Sequence, residues 1–364
     1  MSLRKQTITK MGGFIGKIAG SALIVLFFLN TGKAQDFSYS QVFAHTSTLS
    51  PALTGLHNGQ FKGSMLFRSQ WVKAVDQPFT MGGGYIDLRS KVPFKVTSRD
   101  AFGIGLGFVV EKQGLIEYRK NNFNINLAYH KTLDYAGDHV LSAGAQLGFL
   151  QNSVGYENIT FMDQFDGSGF NLSTSEDLPV NSINSLDFGM GVHYQYTQEE
   201  NLFSVGLSSF HLNSPDISFN SNDDSTLDET ENQLYRKYIG HVFYQVALNR
   251  DLALTPRVIG KMQGPHQLYM VGSTARIRLA GGINENALHV GLLLQGGKTF
   301  ESAFKLHTTT LLVGYEFNAF NLGLSYDVGM VNRYNFKSSP GNFELSLSYF
   351  GFLTDNTSMG CPLF

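Results

Sequence analysis

Two acidic stretches carry the residue types that could bind a metal ion. They span residues 152–181 and 212–234, and neither contains a lysine or an arginine. Clustered carboxylates are the oxygen ligands that calcium prefers, but the segment from Asp163 to Gly167 lacks the alternating ligand spacing of a calcium loop. We therefore interpret both stretches as solvated loops and expect no metal or cofactor. Their carboxylates are Glu157, Asp163, Asp166, Glu176, Asp177, Asp216, Asp223, Asp224, Asp228, Glu229 and Glu231.

The sequence contains no catalytic motif. It has no Gly-x-Ser-x-Gly elbow, no His-Glu-x-x-His pair and no phosphate-binding loop. Gly103, Gly105 and Gly107 resemble a dinucleotide fingerprint only superficially, because their period of two places them on one face of a strand. Cys361 is the single cysteine, so no internal disulfide can form, and we expect an unreactive thiol. The sequence thus predicts a protein that is not an enzyme.

Charged residues on the polar faces of alternating segments are more informative. They are Lys62, Arg68, Asp187, Asp327 and Glu344. If the first and last segments are neighbours in a closed sheet, Lys62 and Arg68 share an inner wall with Glu344. Unpaired charge in a narrow lumen is costly, so we expect Arg68 and Glu344 to interact. His130 and His193 are predicted on the same inner face, with hydrogen-bonding rather than metal-binding roles.

The elements that would position these residues are amphipathic strands. Apolar and polar or glycine residues alternate repeatedly, as in Phe102, Ile104, Leu106 and Phe108, and this period of two indicates strands. Most segments have 10–14 residues, whereas ordinary strands have about 5–6 and tilted membrane strands about 9–11. The pattern predicts about 14 strands: 60–71, 79–89, 101–112, 121–132, 139–151, 182–196, 201–211, 235–248, 252–263, 267–280, 286–297, 305–317, 319–331 and 342–352.

Composition and loop lengths favour a membrane barrel over a soluble sandwich. A net charge of −2 with 15% charged residues argues against nucleic-acid binding, and a mean hydropathy of −0.09 excludes a helical membrane protein. Short connections largely alternate with long ones, as expected for antiparallel outer-membrane barrels. An even strand number then places both termini in the periplasm. The short connections are 133–138, 197–200, 249–251 and 317–320, and 90–100 is an over-long exception.

The N-terminus has the pattern of a secretory signal peptide. Basic residues precede an apolar run from Ile18 to Leu29, and small residues precede a cut between Ala34 and Gln35. The run of about 12 residues is shorter than the roughly 20 that a transmembrane anchor needs. We therefore expect residues 1–34 to be removed outside the cytoplasm.

Three further regions complete the predicted organisation. Residues 35–58 have no periodicity and could be a lumenal plug, a periplasmic segment or a lead-in to the first strand. Residues 59–352 form the transmembrane antiparallel up-and-down β-barrel. Residues 353–364 form a C-terminal tail.

Short motifs near both ends resemble the PorP/SprF family. The first runs from Leu49 to Gly55 and includes Pro51 and Ala52, and the second is Arg68-Ser69-Gln70-Trp71. The later motifs contain Tyr326-Asp327, the segment Phe343–Tyr349 and Cys361-Pro362. The resemblance spans nearly the whole mature chain in the family's order, but the residues Ala52-Leu53-Thr54 depart from its commoner Ala-Tyr-Ala. The acidic loops have no part in it and inherit no role.

The resemblance implies an outer-membrane protein of the type IX secretion and gliding machinery of Bacteroidetes. Such proteins help to export large adhesins and hold the adhesin C-terminal domain at the cell surface. The implied partners are that domain, periplasmic components of the machinery and outer-membrane lipid, with no nucleic acid. The alternative left open by the residues themselves is a passive channel or small-solute transporter.

Overall fold

The computed structural model describes residues 36–351 with short gaps. The gaps are 37, 58, 73, 74, 76, 92–98, 115, 116, 157, 158, 166, 168, 170, 172, 173, 177, 220–232, 281–285, 300, 301 and 331–340. The described residues belong to one compact unit, Gln35–Phe364. The predicted signal peptide, its cleavage site at Ala34 and Gln35, and the C-terminal tail with Cys361 and Pro362 lie outside the described residues.

The part of the chain so described folds into a closed antiparallel barrel of fourteen strands. Each strand pairs with its neighbours in sequence, and the last strand pairs with the first. The strands are β1 Phe61–Gln70, β2 Phe79–Lys91, β3 Ala101–Gln113, β4 Tyr118–Thr132, β5 His139–Ser153, β6 Ser182–Gln198, β7 Asn201–Phe210, β8 Lys237–Ala247, β9 Leu252–Gln263, β10 His266–Ala280, β11 Asn286–Thr299, β12 Ser302–Phe317, β13 Phe320–Gly329 and β14 Asn342–Gly351. The predicted strand number and fold class are confirmed.

The barrel wall exposes its apolar side chains and buries its polar ones. In β4, Ile125 and Leu127 are 47% and 56% exposed, whereas Asn126 between them is fully buried. Because successive strand residues point to opposite faces, the apolar set lies outside and the polar set lines the lumen. This arrangement is inverted relative to a soluble sheet and fits a surrounding apolar solvent.

The two ends of the barrel differ in their connections. We call the end where β1 begins and β14 ends the terminal end, and the opposite end the loop end. At the terminal end, residues 199–200 join β6 to β7 and residues 318–319 join β12 to β13. At the loop end, the long connections 154–181 and 211–236 follow β5 and β7. Loop-end connections are not all long, because only residues 264–265 separate β9 from β10.

Many strand boundaries differ from the sequence prediction by one to three residues, and two of these differences have a clear physical reason. β1 ends at Gln70 because Trp71 has a positive φ of 62°, which an extended strand does not accommodate. β2 continues to Lys91 through its pairing with Ala101, which shortens the expected over-long connection to residues 92–100. Trp71 therefore lies just after β1, although the alternation predicted it within that strand.

The segment before β1 occupies the lumen and supplies much of the hydrophobic core. It contains two short 3-10 turns, Thr46–Thr48 and Pro51–Leu53, and we call residues 36–57 the plug. Tyr39, Val42 and Leu49 of the plug are buried and belong to one apolar cluster with inward residues of the wall. The wall residues of this cluster are Leu66, Met81, Val109, Phe210, Ile239, Ile259, Met270 and Leu293.

The plug runs the length of the lumen. Asp36 contacts residues at the loop end, including Lys237, the first residue of β8, whereas Gly59 lies against Gly351 at the terminal end. The barrel strands themselves begin and end at the terminal end, as an even strand number requires. The described chain nevertheless starts at the opposite end, because the plug crosses the lumen before β1. Within the described residues, no helix is long and apolar enough to cross a membrane.

Candidate functional site

The closing strands of the barrel carry a buried ion-pair cluster. Arg68 of β1 is the Cα partner of Glu344 in β14, and its Nη1 donates a hydrogen bond to the Glu344 carboxylate. Its Nη2 lies 3.1 Å from Oδ2 of Asp327 in β13. All three side chains are buried, so a single guanidinium is paired with two carboxylates in a region with little water. The interaction predicted between Arg68 and Glu344 is present.

The plug completes this cluster with its backbone. The N–H groups of Ser40 and Gln41 each donate to one Glu344 carboxylate oxygen at 2.8 Å. The Ser40 hydroxyl donates to Asp327 at 3.0 Å, and Arg68 donates to the same hydroxyl at 3.2 Å. We call Ser40, Gln41, Arg68, Asp327 and Glu344 the seam cluster, because it joins the plug to the strands that close the barrel.

A second cluster holds the start of the plug at the loop end. The Asp36 carboxylate accepts from Lys237 Nζ at 2.7 Å and from Lys120 Nζ at 3.1 Å. It also lies 2.6 Å from Nε2 of His211, whose Nδ1 is 3.0 Å from Asp187. Because hydrogen bonds between charged groups are stronger than neutral ones, Asp36 is a strong anchor for the plug.

The second 3-10 turn packs against glycines of the wall. Ser50 caps this turn by accepting from the Ala52 N–H at 3.3 Å. A Cβ at Gly103 of β3 would overlap the carbonyl oxygen of Thr54, and one at Gly144 of β5 would overlap the backbone of Pro51. Glycine at these positions therefore allows the plug backbone to lie directly on the wall.

The plug is also fixed near the terminal end. The N–H of Gly55, which has a φ of +72°, donates to Oδ2 of Asp87 in β2 at 2.6 Å. His57 Nε2 lies 3.5 Å from Oδ1 of the same carboxylate. Lys62 Nζ donates to the Phe43 carbonyl at 3.2 Å and lies 5.4 Å from the centre of the Phe350 ring. Plug and wall are thus joined at both ends and in the middle.

The residues singled out in the sequence fall into three groups. Lys62, Arg68, Asp187, Asp327 and Glu344 are all buried and bonded within the lumen. Pro51, Ala52 and Gly55 belong to the plug, and Arg68, Gln70, Trp71, Tyr326 and Asp327 lie in or beside β1 and β13. The structure therefore brings the early and late motifs together through the seam cluster.

Several plug contacts have no periodic signal in the sequence. Asp36, Ser40 and His211 each lie outside the strands, and Asp36 bonds to His211 while Ser40 bonds to Asp327, 175 and 287 residues further along the chain. The spacing of Gly103, Gly144 and Gly191 is not regular along the chain, although each meets the same plug turn. A glycine on the inward face of several adjacent predicted strands is the one sequence signal that could have indicated close packing there.

The predicted histidine roles match the geometry. His130 lies 2.7 Å from the Ser142 hydroxyl and 2.8 Å from the Thr54 carbonyl. His193 lies 3.1 Å from both His241 and Ser204. Within the residues that the structure describes, no group of His, Cys, Asp and Glu has the arrangement of a metal site.

The described part of the first acidic loop is organised by Asp163. Its carboxylate accepts from the Ser175 N–H at 2.5 Å and from the Thr174 hydroxyl at 2.9 Å. The Ser175 N–H, the largest contribution, lowers the pKa of Asp163 below its usual value. This carboxylate therefore forms hydrogen bonds within its own loop and stabilises the loop conformation. Residues 220–232 of the second acidic stretch lie outside the described residues.

Comparison with solved structures gives several barrels of low sequence identity. CdiB from Escherichia coli is 9% identical with a TM-score of 0.44, and the match covers 80% of this chain and 63% of CdiB. The Pseudomonas putida toluene transporter TodX is 8% identical with a TM-score of 0.47, covering 89% and 96% of the two chains. A Pseudomonas aeruginosa FadL homologue is 7% identical with a TM-score of 0.47, covering 83% and 92%. The chain thus spans less than two thirds of the length of CdiB.

Comparison of the sequence with protein families identifies the family of the chain, whereas comparison with individual curated proteins does not. No curated protein matches the chain. The family described as type IX secretion system membrane protein PorP/SprF matches residues 31–349, which include the plug and nearly the whole barrel. The chain belongs to the PorP/SprF family of type IX secretion system membrane proteins.

Proposed function

We propose that this protein is a non-enzymatic outer-membrane barrel of the type IX secretion and gliding machinery. In this proposal it helps to export one large adhesin and holds the C-terminal domain of that adhesin at the cell surface. Its partners are that domain, periplasmic components of the machinery and the lipid around the barrel. Membership of the PorP/SprF family supports the place in the secretion system.

The observation that carries the non-channel role is the filled lumen. The plug is bonded to the wall by Asp36 and the seam cluster toward the loop end and by Asp87 near the terminal end. Its apolar side chains pack against inward residues from many strands. A passive pore needs a continuous aqueous path, and a plug with these contacts favours handling a protein client over free diffusion of solutes.

We further propose that the loop end faces the cell exterior and the terminal end faces the periplasm. The long connections 154–181 and 211–236 lie at the loop end, and outer-membrane barrels generally have their longer loops outside. Under this orientation β1 and β14 meet periplasmic components at the terminal end. The start of the plug reaches toward the outer surface, because Asp36 lies at the loop end.

Deletion of the gene tests the client role directly. We expect the deletion strain to lose surface display of one adhesin while secretion of other type IX cargo continues, and the intact gene to restore display. Quantitative proteomics of the surface and culture fluid would measure both. Loss of all type IX cargo, or unchanged display of every adhesin, would contradict the specific-client proposal.

A further inference from the structure

The lumen contains a buried arginine whose charge has no counterion among the residues that the structure describes. Arg257 of β9 is 7% exposed, and no hydrogen bond or ion pair joins its guanidinium to any residue that the structure describes. Its Nε is buried and has no hydrogen-bond partner in the described part of the chain. A buried guanidinium without acceptors is costly, because its charge is held away from bulk water and its Nε–H donor has no acceptor among the described residues.

The contact that Arg257 does make covers only one face of the guanidinium. Its Cζ lies 4.2 Å from the centre of the Phe43 ring, in the plug. A cation–π contact stabilises the charge through that face, but it gives no acceptor to the N–H groups along the edge of the plane. Those donors therefore need an acceptor that is not an aromatic ring.

Arg257 lines a cavity between the plug and the wall. The cavity has a volume of about 60 Å³ for water-sized occupants and is bounded by β9–β14 on one side. The plug residues Gln41, Phe43 and Ala44 close the other side. Thr274 of β10 also lines it, and its buried hydroxyl has no partner among the described residues. The remaining lining residues are His289, Leu312, Gly314, Asn321, Gly323, Ser346 and Ser348.

The carboxylates bonded to lining residues are paired with other cations. Glu316 is bonded to His289 and takes two hydrogen bonds from Arg276, at 2.8 and 2.9 Å. Glu344 accepts from the Gln41 N–H and is paired with Arg68. Neither carboxylate is bonded to Arg257, so the cavity combines a guanidinium without a bonded acceptor, an unused hydroxyl donor and room for a small ligand.

We propose that this cavity binds a small monovalent anion of about the size of chloride. The anion accepts hydrogen bonds from the Arg257 guanidinium and the Thr274 hydroxyl. Because Gln41, Phe43 and Ala44 form the opposite wall, the bound anion fastens the plug to β9 and β10. This site is independent of the client role proposed above.

Bromide replaces chloride and can be located by its anomalous scattering. In crystals of the full-length mature protein grown with bromide, we expect an anomalous peak within hydrogen-bonding distance of the Arg257 guanidinium. The Arg257→Met protein should lack this peak while retaining any surface bromide sites. Absence of a peak in the wild-type cavity, or a peak that survives the substitution, would overturn the proposal.

A thermal measurement tests the same site in solution. We compare melting in chloride and in gluconate, which is too large for the cavity, at equal ionic strength. The wild-type barrel should melt at least about 2 °C higher in chloride, because a ligand bound to the folded state raises its stability. Arg257→Met should abolish this difference, and Arg119→Met, which removes an exposed arginine at the loop end, should preserve it.

A conservative substitution covers the case in which Arg257→Met does not fold. Thr274→Val keeps the volume and removes the hydroxyl donor, so it should reduce the chloride-dependent rise in melting temperature while leaving melting in gluconate little changed. Equal melting of the wild type in both salts, or a full chloride effect in Thr274→Val and Arg257→Met alike, would contradict the anion site.

Discussion

Arg68 in the first strand donates a hydrogen bond to Glu344 in the last strand, where the two strands close the barrel. The same carboxylate accepts the backbone N–H groups of Ser40 and Gln41 in the plug. One buried ion pair therefore joins the plug, the first strand and the last strand. Closure of the barrel and seating of the plug depend on the same group.

Removing the arginine of this pair should destabilise both barrel and plug. In Arg68→Met, Glu344 and Asp327 remain buried beside one another without their cation. Breaking a buried ion pair on one side costs about 3–5 kcal/mol, so we expect a loss of that size in the free energy of unfolding. Urea titration of the protein in lipid vesicles measures it.

The control for this substitution is an arginine that is paired at the surface. Arg119→Met removes an ion pair with Glu117 that is largely exposed, and exposed pairs contribute little. If Arg68→Met were no less stable than Arg119→Met, the seam cluster would not have the role assigned to it.

Close packing of the plug against β3 predicts that Gly103 does not tolerate a methyl group. A Cβ at Gly103 would overlap the Thr54 carbonyl, so Gly103→Ala must displace the second plug turn or the wall. We expect destabilisation of about 1–3 kcal/mol, as for other overpacked sites. Gly63→Ala is the matched control, because a Cβ there meets no atom within 4 Å. Equal stability of the two variants would contradict the packing.

The Asp36 anchor can be weakened without changing side-chain size. Asp36→Asn removes the charge that binds Lys237, Lys120 and His211. Charged hydrogen bonds contribute about 1.5–3 kcal/mol each, so amides in the first turn of the plug should exchange with deuterium at least about tenfold faster. Exchange in the β-strands should change little. Asp163→Asn, in an exposed loop, should leave plug exchange at the wild-type rate, and equal plug protection in Asp36→Asn would refute the anchor.

The loop that Asp163 organises should loosen in acid. The Ser175 N–H lowers the pKa of this carboxylate, so its folded-state pKa lies below the unfolded-state value. The stabilisation is then fully present above the unfolded pKa of about 4 and is lost as the pH falls through the lower folded pKa. The protection factor of the Ser175 amide should fall in that range. In Asp163→Asn it should be independent of pH, and a pH-independent wild-type loop would contradict the assignment.

The sequence was sufficient to predict the barrel because most strands carry their own signal. Apolar Ile125 and Leu127 alternate with polar Asn126 in β4, and the same period recurs in most of the fourteen segments, although the ninth to eleventh alternate poorly. The pairing of Arg68 with Glu344 followed from closure, since the first and last strands of a barrel are adjacent. These inferences required only local periodicity and the rule that a barrel has no free edge.

The position of the plug could not be predicted, because it depends on contacts between distant residues. Residues 35–58 have no periodicity, and three placements remained open. Ser40 finds its partners in β13 and β14, and Asp36 finds its partners in β4 and β8. Nothing in the sequence near either residue indicates which distant strand supplies its partners. Because the plug crosses the lumen, it begins at the loop end, whereas β1 begins at the terminal end.

Planar-bilayer conductance tests the central claim, that the plug closes the lumen. We compare the full mature protein with a variant that lacks residues 36–57, both inserted into the same lipid. The full protein should show no steady conductance, and the variant should form an open pore. Steady ion flow through the full protein would contradict the plugged barrel and favour a passive channel.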